Sequence, residues 1–240
     1  MTATPSSVMS VAAVSMDGGG ERARGERGVE LPGVAEAQLT AVHRHPSFLS
    51  AAEIETLTAK ARALKPQCGK ETRYVDQTAA GSFERWCCWF LHTEGAFASE
   101  CPALLERVVA LARRADTEQG WGLLGGVAEL SVRCVEYHEM QTGGKLADPR
   151  HHDEGSLCTI DIMLAKPGEE FEGAQFATLE AGGELKPREF AFGDAMVFVR
   201  CGVLLLHSSW SRSSFSSHYC CCSSLLTAPL SAISTTAWPP

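Results

Sequence analysis

The spacing of the apolar residues changes along this chain, and that change constrains the fold more than any other feature. Two segments before residue 120 repeat apolar side chains every three or four positions, which predicts amphipathic helices. From Val127 onward apolar and polar residues alternate in short runs separated by Gly and Pro, which predicts strands joined by turns. Helices followed by several short strands are typical of an α+β chain whose β-part is a barrel or jelly roll.

Both predicted helices have clear start signals. Ser50 and Glu53 have the spacing of a capping box, and Lys65-Pro66 would end that helix. Pro102 would open the second helix. The strand candidates are the aromatic-rich segment 69–91 and the segments 129–137, 157–164, 173–179 and 189–199.

Composition narrows the classes of protein that this chain can belong to. With 240 residues and 45% hydrophobic residues, the chain fits one domain with appendages and can form a core. A net charge of −8 without a dense Lys/Arg cluster weighs against nucleic acid as a partner. No apolar run reaches the length that spans a bilayer.

The ends of the chain differ from its middle. Residues 1–40 are rich in Gly, Ser and charge and are expected to be disordered. They lack the apolar core of a secretory signal, so we expect a cytoplasmic protein, with a transit segment as the alternative because residues 1–16 lack acids. The ten cysteines form no CxxC pair, which excludes zinc-finger spacing and favours free thiols.

The tripeptide His151-His152-Asp153 is the strongest candidate for a metal site. His151 and Asp153 are two residues apart, so on an extended backbone both side chains point to one face. They would supply two ligands of the 2-His-1-carboxylate triad of non-haem Fe(II) oxygenases. His152 would point to the other face and is the alternate ligand. His92 and His138 follow predicted strands and are expected to be polar surface groups.

Five blocks in a fixed order surround this tripeptide. They are Val132–Tyr137, His151–Ser156, Thr159–Leu164, Phe171–Phe176 and Gly193–Phe198. Together they resemble the successive blocks of Fe(II)/2-oxoglutarate-dependent dioxygenases, and the branch they resemble most is the prolyl 4-hydroxylase-like one. The resemblance covers roughly residues 48–199.

The resemblance implies a double-stranded β-helix, a jelly roll with flanking N-terminal helices, within residues 41–200. It implies Fe(II) ligation by His151, Asp153 and, as the distal ligand, His207. It also implies 2-oxoglutarate binding by Tyr137, for which a half-buried strand aromatic is the alternative, and by Arg212. The implied activity is an O2-dependent hydroxylation of a peptide or protein side chain such as proline, or of a small molecule, with ascorbate as a reductant.

The chain departs from the family pattern after about residue 200. Residues 201–240 are rich in Ser and Cys, contain Arg212 as their only Lys or Arg and contain no Asp or Glu. His207 comes later than the pattern expects, and Arg212 comes too early for a basic partner of 2-oxoglutarate. We interpret residues 201–240 as an atypical tail that replaces the end of the barrel, through an altered reading frame or a retained intron. Two alternatives remain open, a catalytically impaired jelly-roll protein and a cupin-like metal protein.

Overall fold

The part of the chain that the structure describes contains three α-helices and two antiparallel sheets. The computed structural model describes residues 6–14, 40–124, 130–144, 156–173, 175–180, 184–199 and 204–207. The helices are α1 (Ala51–Leu64), α2 (Ala96–Glu100) and α3 (Pro102–Gln119). The described strands are β1 (Ser6–Val14), β2 (Val42–His45), β3 (Gly69–Thr78), β4 (Gly81–Phe90), β5 (Ser131–Met140), β6 (Cys158–Met163), β7 (Gln175–Leu179), β8 (Leu185–Pro187), β9 (Ala195–Val199) and β10 (Leu204–His207).

The larger sheet has seven strands in the order β2-β9-β6-β1-β5-β4-β3, and the smaller has three in the order β10-β7-β8. Neighbouring strands are antiparallel in both sheets. The prediction of an α+β chain with its helices ahead of most strands is confirmed. Within the described ranges, no helix combines the length and the apolar character needed to cross a membrane.

The helix signals in the sequence operate as predicted. The backbone nitrogen of Glu53 donates to Oγ of Ser50 at 3.3 Å, and the backbone nitrogen of Ser50 donates to Oε2 of Glu53 at 2.8 Å. This reciprocal pair satisfies two amides that the first turn of α1 leaves without helical partners. The helix ends at Leu64, where Lys65 and Pro66 begin a single 3-10 turn. Pro102 opens α3.

Two apolar clusters form on opposite faces of the large sheet. One face is covered by α1 and α3, and residues such as Leu57, Leu111 and Ile160 fill the cluster there. The other cluster contains Met140 and Phe198 of the large sheet together with Phe176 of the small sheet. The alternation of side chains along each strand therefore sends one set of residues toward the helices and the other toward the small sheet.

The N-terminal strand β1 corrects one expectation. Residues 1–40 were expected to be disordered, but Ser6–Val14 is a strand that pairs with β5 on one side and with β6 on the other. Residues 1–16 carry no charged side chain, so this segment can enter the middle of a sheet that is covered on both faces. The prediction of disorder rested on the Gly-rich and charged residues that follow residue 16, and it did not treat the uncharged segment separately.

The chain beyond residue 200 also contributes to a sheet. Leu204–His207 forms β10, which pairs with β7 at the edge of the small sheet, and His207 lies opposite Gln175. The expected tail of residues 201–240 therefore begins with a strand in the described structure. The rest of that tail lies outside the described residues, and its origin stays a prediction.

Candidate functional site

Most of the predicted metal site lies outside the described residues. His151, Asp153 and Arg212 fall in this part of the chain, as does the alternate ligand His152. His207 is the last residue of β10. The assignment of these residues to iron and 2-oxoglutarate therefore stays a prediction.

The predicted ligands His151 and Asp153 lie in the sequence between strands β5 and β6. Because β1 is antiparallel to both β5 and β6, the latter two strands run in the same direction. A tight turn cannot join two strands that run in the same direction. Ser156, three residues after Asp153, is buried next to the start of β6.

Tyr137 lies on the helix side of the large sheet. Its ring is fully buried in the cluster that packs under α1 and α3. The ammonium of Lys65 lies 5.1 Å from the centre of this ring and 3.9 Å from the centre of the Trp89 ring, and it also contacts Glu139. Tyr137 thus packs against a cation on the face opposite to its neighbours Glu136 and His138. Its predicted role in binding 2-oxoglutarate stays a prediction.

The described residues contain one group of side chains that could hold a metal ion, Cys88, Glu136 and His138. Cys88 of β4 lies opposite His138 of β5, and Glu136 is two residues from His138, so the three side chains share a face. Sγ of Cys88 donates to Oε2 of Glu136 at 3.4 Å. Nε2 of His138 lies 3.1 Å from the same oxygen.

Arg73 of β3 supplies the counter-charge for this cluster. Its Nη2 atom lies 3.4 Å from both carboxylate oxygens of Glu136, whose residue is only 4% exposed. Burial by itself raises the pKa of Glu136, but contacts with His138, Arg73 and Cys88 outweigh it and hold the pKa below its ordinary value. Glu136 is therefore a buried carboxylate anion at neutral pH.

Trp86 fixes the proton of the His138 ring. The indole Nε1 of Trp86 donates to Nδ1 of His138 at 3.0 Å, and an indole nitrogen can only donate. Nδ1 must then present its lone pair, so the ring is neutral and its proton is on Nε2, the nitrogen near Glu136. A metal ligand needs a lone pair on the ligating nitrogen, so this arrangement opposes metal binding through Nε2.

This cluster was not predicted from the sequence. His138 was expected to be a polar surface group, and that expectation is wrong, because His138 is 1% exposed within β5. The run Cys134, Glu136 and His138, at every second position, places three polar groups on one face of a strand. That pattern was the available signal. The contributions of Cys88 and Arg73 depend on strand register, which the sequence does not specify.

Comparisons with known proteins add little to these findings. The chain matches no protein-family model, and no curated protein matches it. Among solved structures it is similar to a prolyl-4-hydroxylase from Pseudomonas putida, with 18% sequence identity and a TM-score of 0.43. The match covers 70% of this chain and 85% of that chain.

Proposed function

We propose that this protein is an Fe(II)- and 2-oxoglutarate-dependent dioxygenase that hydroxylates a peptide or protein side chain, such as that of proline. The observation that carries the proposal is the pair His151 and Asp153 within five sequence blocks of fixed order. The jelly-roll fold, a double-stranded β-helix, is part of the same proposal.

The order of the described strands supports this proposal. Four of the five blocks fall wholly or partly on described strands of the two antiparallel sheets, namely β5, β6, β7 and β9. The remaining block, with His151 and Asp153, lies between β5 and β6 in the sequence. The other four blocks therefore coincide with strands that precede or follow the two proposed metal ligands in the sequence.

The chemistry of the donor set fits iron. His151, Asp153 and His207 would supply two imidazole nitrogens and one carboxylate oxygen, the set that suits Fe(II) with open positions. His207 is the last residue of β10 in the small sheet, and the proposal takes it as the third ligand. With 2-oxoglutarate and O2 bound, the metal would supply the oxidising chemistry that hydroxylates a C–H bond and releases succinate and CO2. Tyr137 and Arg212 are the residues proposed to orient 2-oxoglutarate, and ascorbate would keep the iron reduced.

The test measures succinate release and Fe(II) binding by the full chain with 2-oxoglutarate, O2, ascorbate and proline-containing peptides. We expect succinate release that depends on Fe(II). His151→Ala and Asp153→Ala should each lower it by at least about 100-fold, because each removes a ligand from the metal. His207→Ala should lower Fe(II) affinity if His207 is the third ligand.

His152→Ala is the matched control, since His152 adjoins both proposed ligands and would point away from the metal. It should keep Fe(II) affinity and turnover near the unaltered values. Absence of succinate release, combined with Fe(II) affinity that neither His151→Ala nor Asp153→Ala changes, would contradict the proposal.

One observation favours a second candidate, a non-enzymatic jelly-roll protein that lacks the third ligand and the 2-oxoglutarate anchor. Tyr137 packs under the helices beside Lys65 rather than on the face that meets the small sheet. Fe(II) binding that depends on His151 and Asp153, without 2-oxoglutarate binding or turnover, would identify this candidate. Binding of 2-oxoglutarate that is lost in Tyr137→Phe or Arg212→Met would remove it.

A further inference from the structure

The buried cluster of Cys88, Glu136 and His138 has the composition of a site for a soft divalent metal. A thiol, a carboxylate and an imidazole are all ligands that Zn²⁺ accepts. Donor atoms around a tetrahedral zinc lie about 3.3–3.8 Å apart, as its bond lengths require. Here the Cys88 thiol is 3.4 Å and the His138 Nε2 atom 3.1 Å from one oxygen of Glu136. The guanidinium of Arg73 lies 3.4 Å from the carboxylate of Glu136 and would fix its orientation.

The hydrogen bond from the Trp86 indole is unfavourable for a metal at this cluster, and so is the positive charge of Arg73 beside the Glu136 carboxylate. Ligating histidines donate their second ring N–H to an acceptor. In this protein the second nitrogen, Nδ1, instead receives a hydrogen bond from the Trp86 indole at 3.0 Å. A metal on Nε2 would require a proton on Nδ1, and that proton would face the indole N–H directly.

We propose that Trp86 keeps this cluster free of metal by fixing the His138 proton on Nε2. Trp86 is therefore a positioning residue that acts on metal selectivity through His138. Trp86 would thereby prevent Zn²⁺ and similar ions from binding at the buried cluster of Cys88, Glu136 and His138. This inference does not depend on the proposed dioxygenase activity, because it concerns only described residues of β4 and β5.

The size of the effect follows from the hydrogen bond that metal binding would break. Both Trp86 and His138 are almost fully buried, so an N–H that loses its acceptor there gains no water in exchange. One unsatisfied buried donor corresponds to roughly a 5- to 150-fold weakening of an equilibrium. Trp86→Phe removes the indole donor and lets Nδ1 take the proton, so metal affinity should rise by a factor in this range.

The test titrates the full chain with Co²⁺ and follows the thiolate-to-cobalt charge-transfer band in the near ultraviolet. In the unaltered protein the band should be the same with and without Cys88→Ser, so any signal from other cysteines cancels. In Trp86→Phe a new band should appear and should vanish when Cys88→Ser is added. Trp89→Phe is the matched control: it alters a tryptophan on the same strand whose ring contacts Lys65, and it should create no Cys88-dependent band.

Two results would overturn the proposal. One is a Cys88-dependent cobalt band in the unaltered protein, and the other is its absence in a Trp86→Phe variant with unchanged circular dichroism. If that variant does not fold, nitrogen-15 NMR of the unaltered protein decides, with His138 assigned by comparison with His138→Gln. A ring protonated at Nε2 supports the proposal, and one protonated at Nδ1 contradicts it.

Discussion

Replacing Val11 by proline is expected to lower the free energy of unfolding by about 3 kcal/mol or more. Val11 lies in the middle of β1, opposite Val135 of β5 and Ile160 of β6. Because β1 has a hydrogen-bonded neighbour on each side, every backbone N–H along it faces one of those strands. Proline removes one of these donors and leaves a buried carbonyl without its partner. Urea denaturation followed by circular dichroism measures the loss.

Val11→Ala is the control for this experiment, because it shortens the same side chain and keeps the backbone N–H. It should cost about 1 kcal/mol, as an ordinary substitution does. The difference between the two variants isolates the backbone pairing of β1. Equal losses in Val11→Pro and Val11→Ala would show that β1 is not a central strand of the sheet.

The second large effect is expected from Arg73→Met. This change leaves the Glu136 carboxylate buried without its counter-charge, and removing one partner of a buried ion pair typically costs about 3–5 kcal/mol. The Arg73 side chain is 29% exposed, so water will partly replace it, and we expect a loss of about 2–3 kcal/mol. Chemical denaturation at pH 7 is the appropriate measurement.

A double-mutant cycle with Glu136→Gln separates the charge interaction from the packing of Arg73. If the charge of Glu136 causes the loss, Arg73→Met should cost less than about 1 kcal/mol in the Glu136→Gln background. Arg62→Met, at the exposed end of α1, should change stability by no more than about 0.5 kcal/mol. An equal cost of Arg73→Met in both backgrounds would contradict the ion-pair explanation.

Acid should destabilise the protein in part through Glu136. Its pKa in the folded protein lies below the ordinary carboxyl value, so folding favours the deprotonated form. The resulting stabilisation is complete above the unfolded pKa of about 4.3 and is lost as the pH falls through the lower folded value. The free energy of unfolding, measured between about pH 6 and 3, should fall less steeply in Glu136→Gln. Identical slopes would contradict this assignment.

The sequence predicts those parts of the fold that depend on local signals. The capping box at Ser50, the stop at Lys65-Pro66 and the start at Pro102 locate α1 and α3, and the strand candidates locate β3 to β7 and β9. β1 was not predicted, because its place between β5 and β6 depends on pairing across more than a hundred residues. The absence of charged residues in β1 is apparent in the sequence, but it does not by itself identify the strands with which β1 pairs.

The candidate site likewise contains one part that the sequence predicts and one part that depends on tertiary structure. His151 and Asp153 follow from a short motif, which a sequence displays directly. The cluster around Glu136 does not, because it joins side chains of β3, β4 and β5 whose register is a tertiary property. The tautomer of His138 depends on a further long-range contact, from Trp86, which is 52 residues away in the chain. No spacing rule could have predicted that proton.

The place of β1 in the sheet also determines when the protein can complete its fold during synthesis. Ser6–Val14 leaves the ribosome well before its partners, which end at Met140 and Met163. At about 5–20 residues per second, the nascent strand waits roughly 8–30 s for its second neighbour. During that time it is an uncharged strand segment whose two partner strands are still missing, and low charge favours aggregation of such a segment. Chaperone binding to this nascent segment should therefore persist until β6 has emerged.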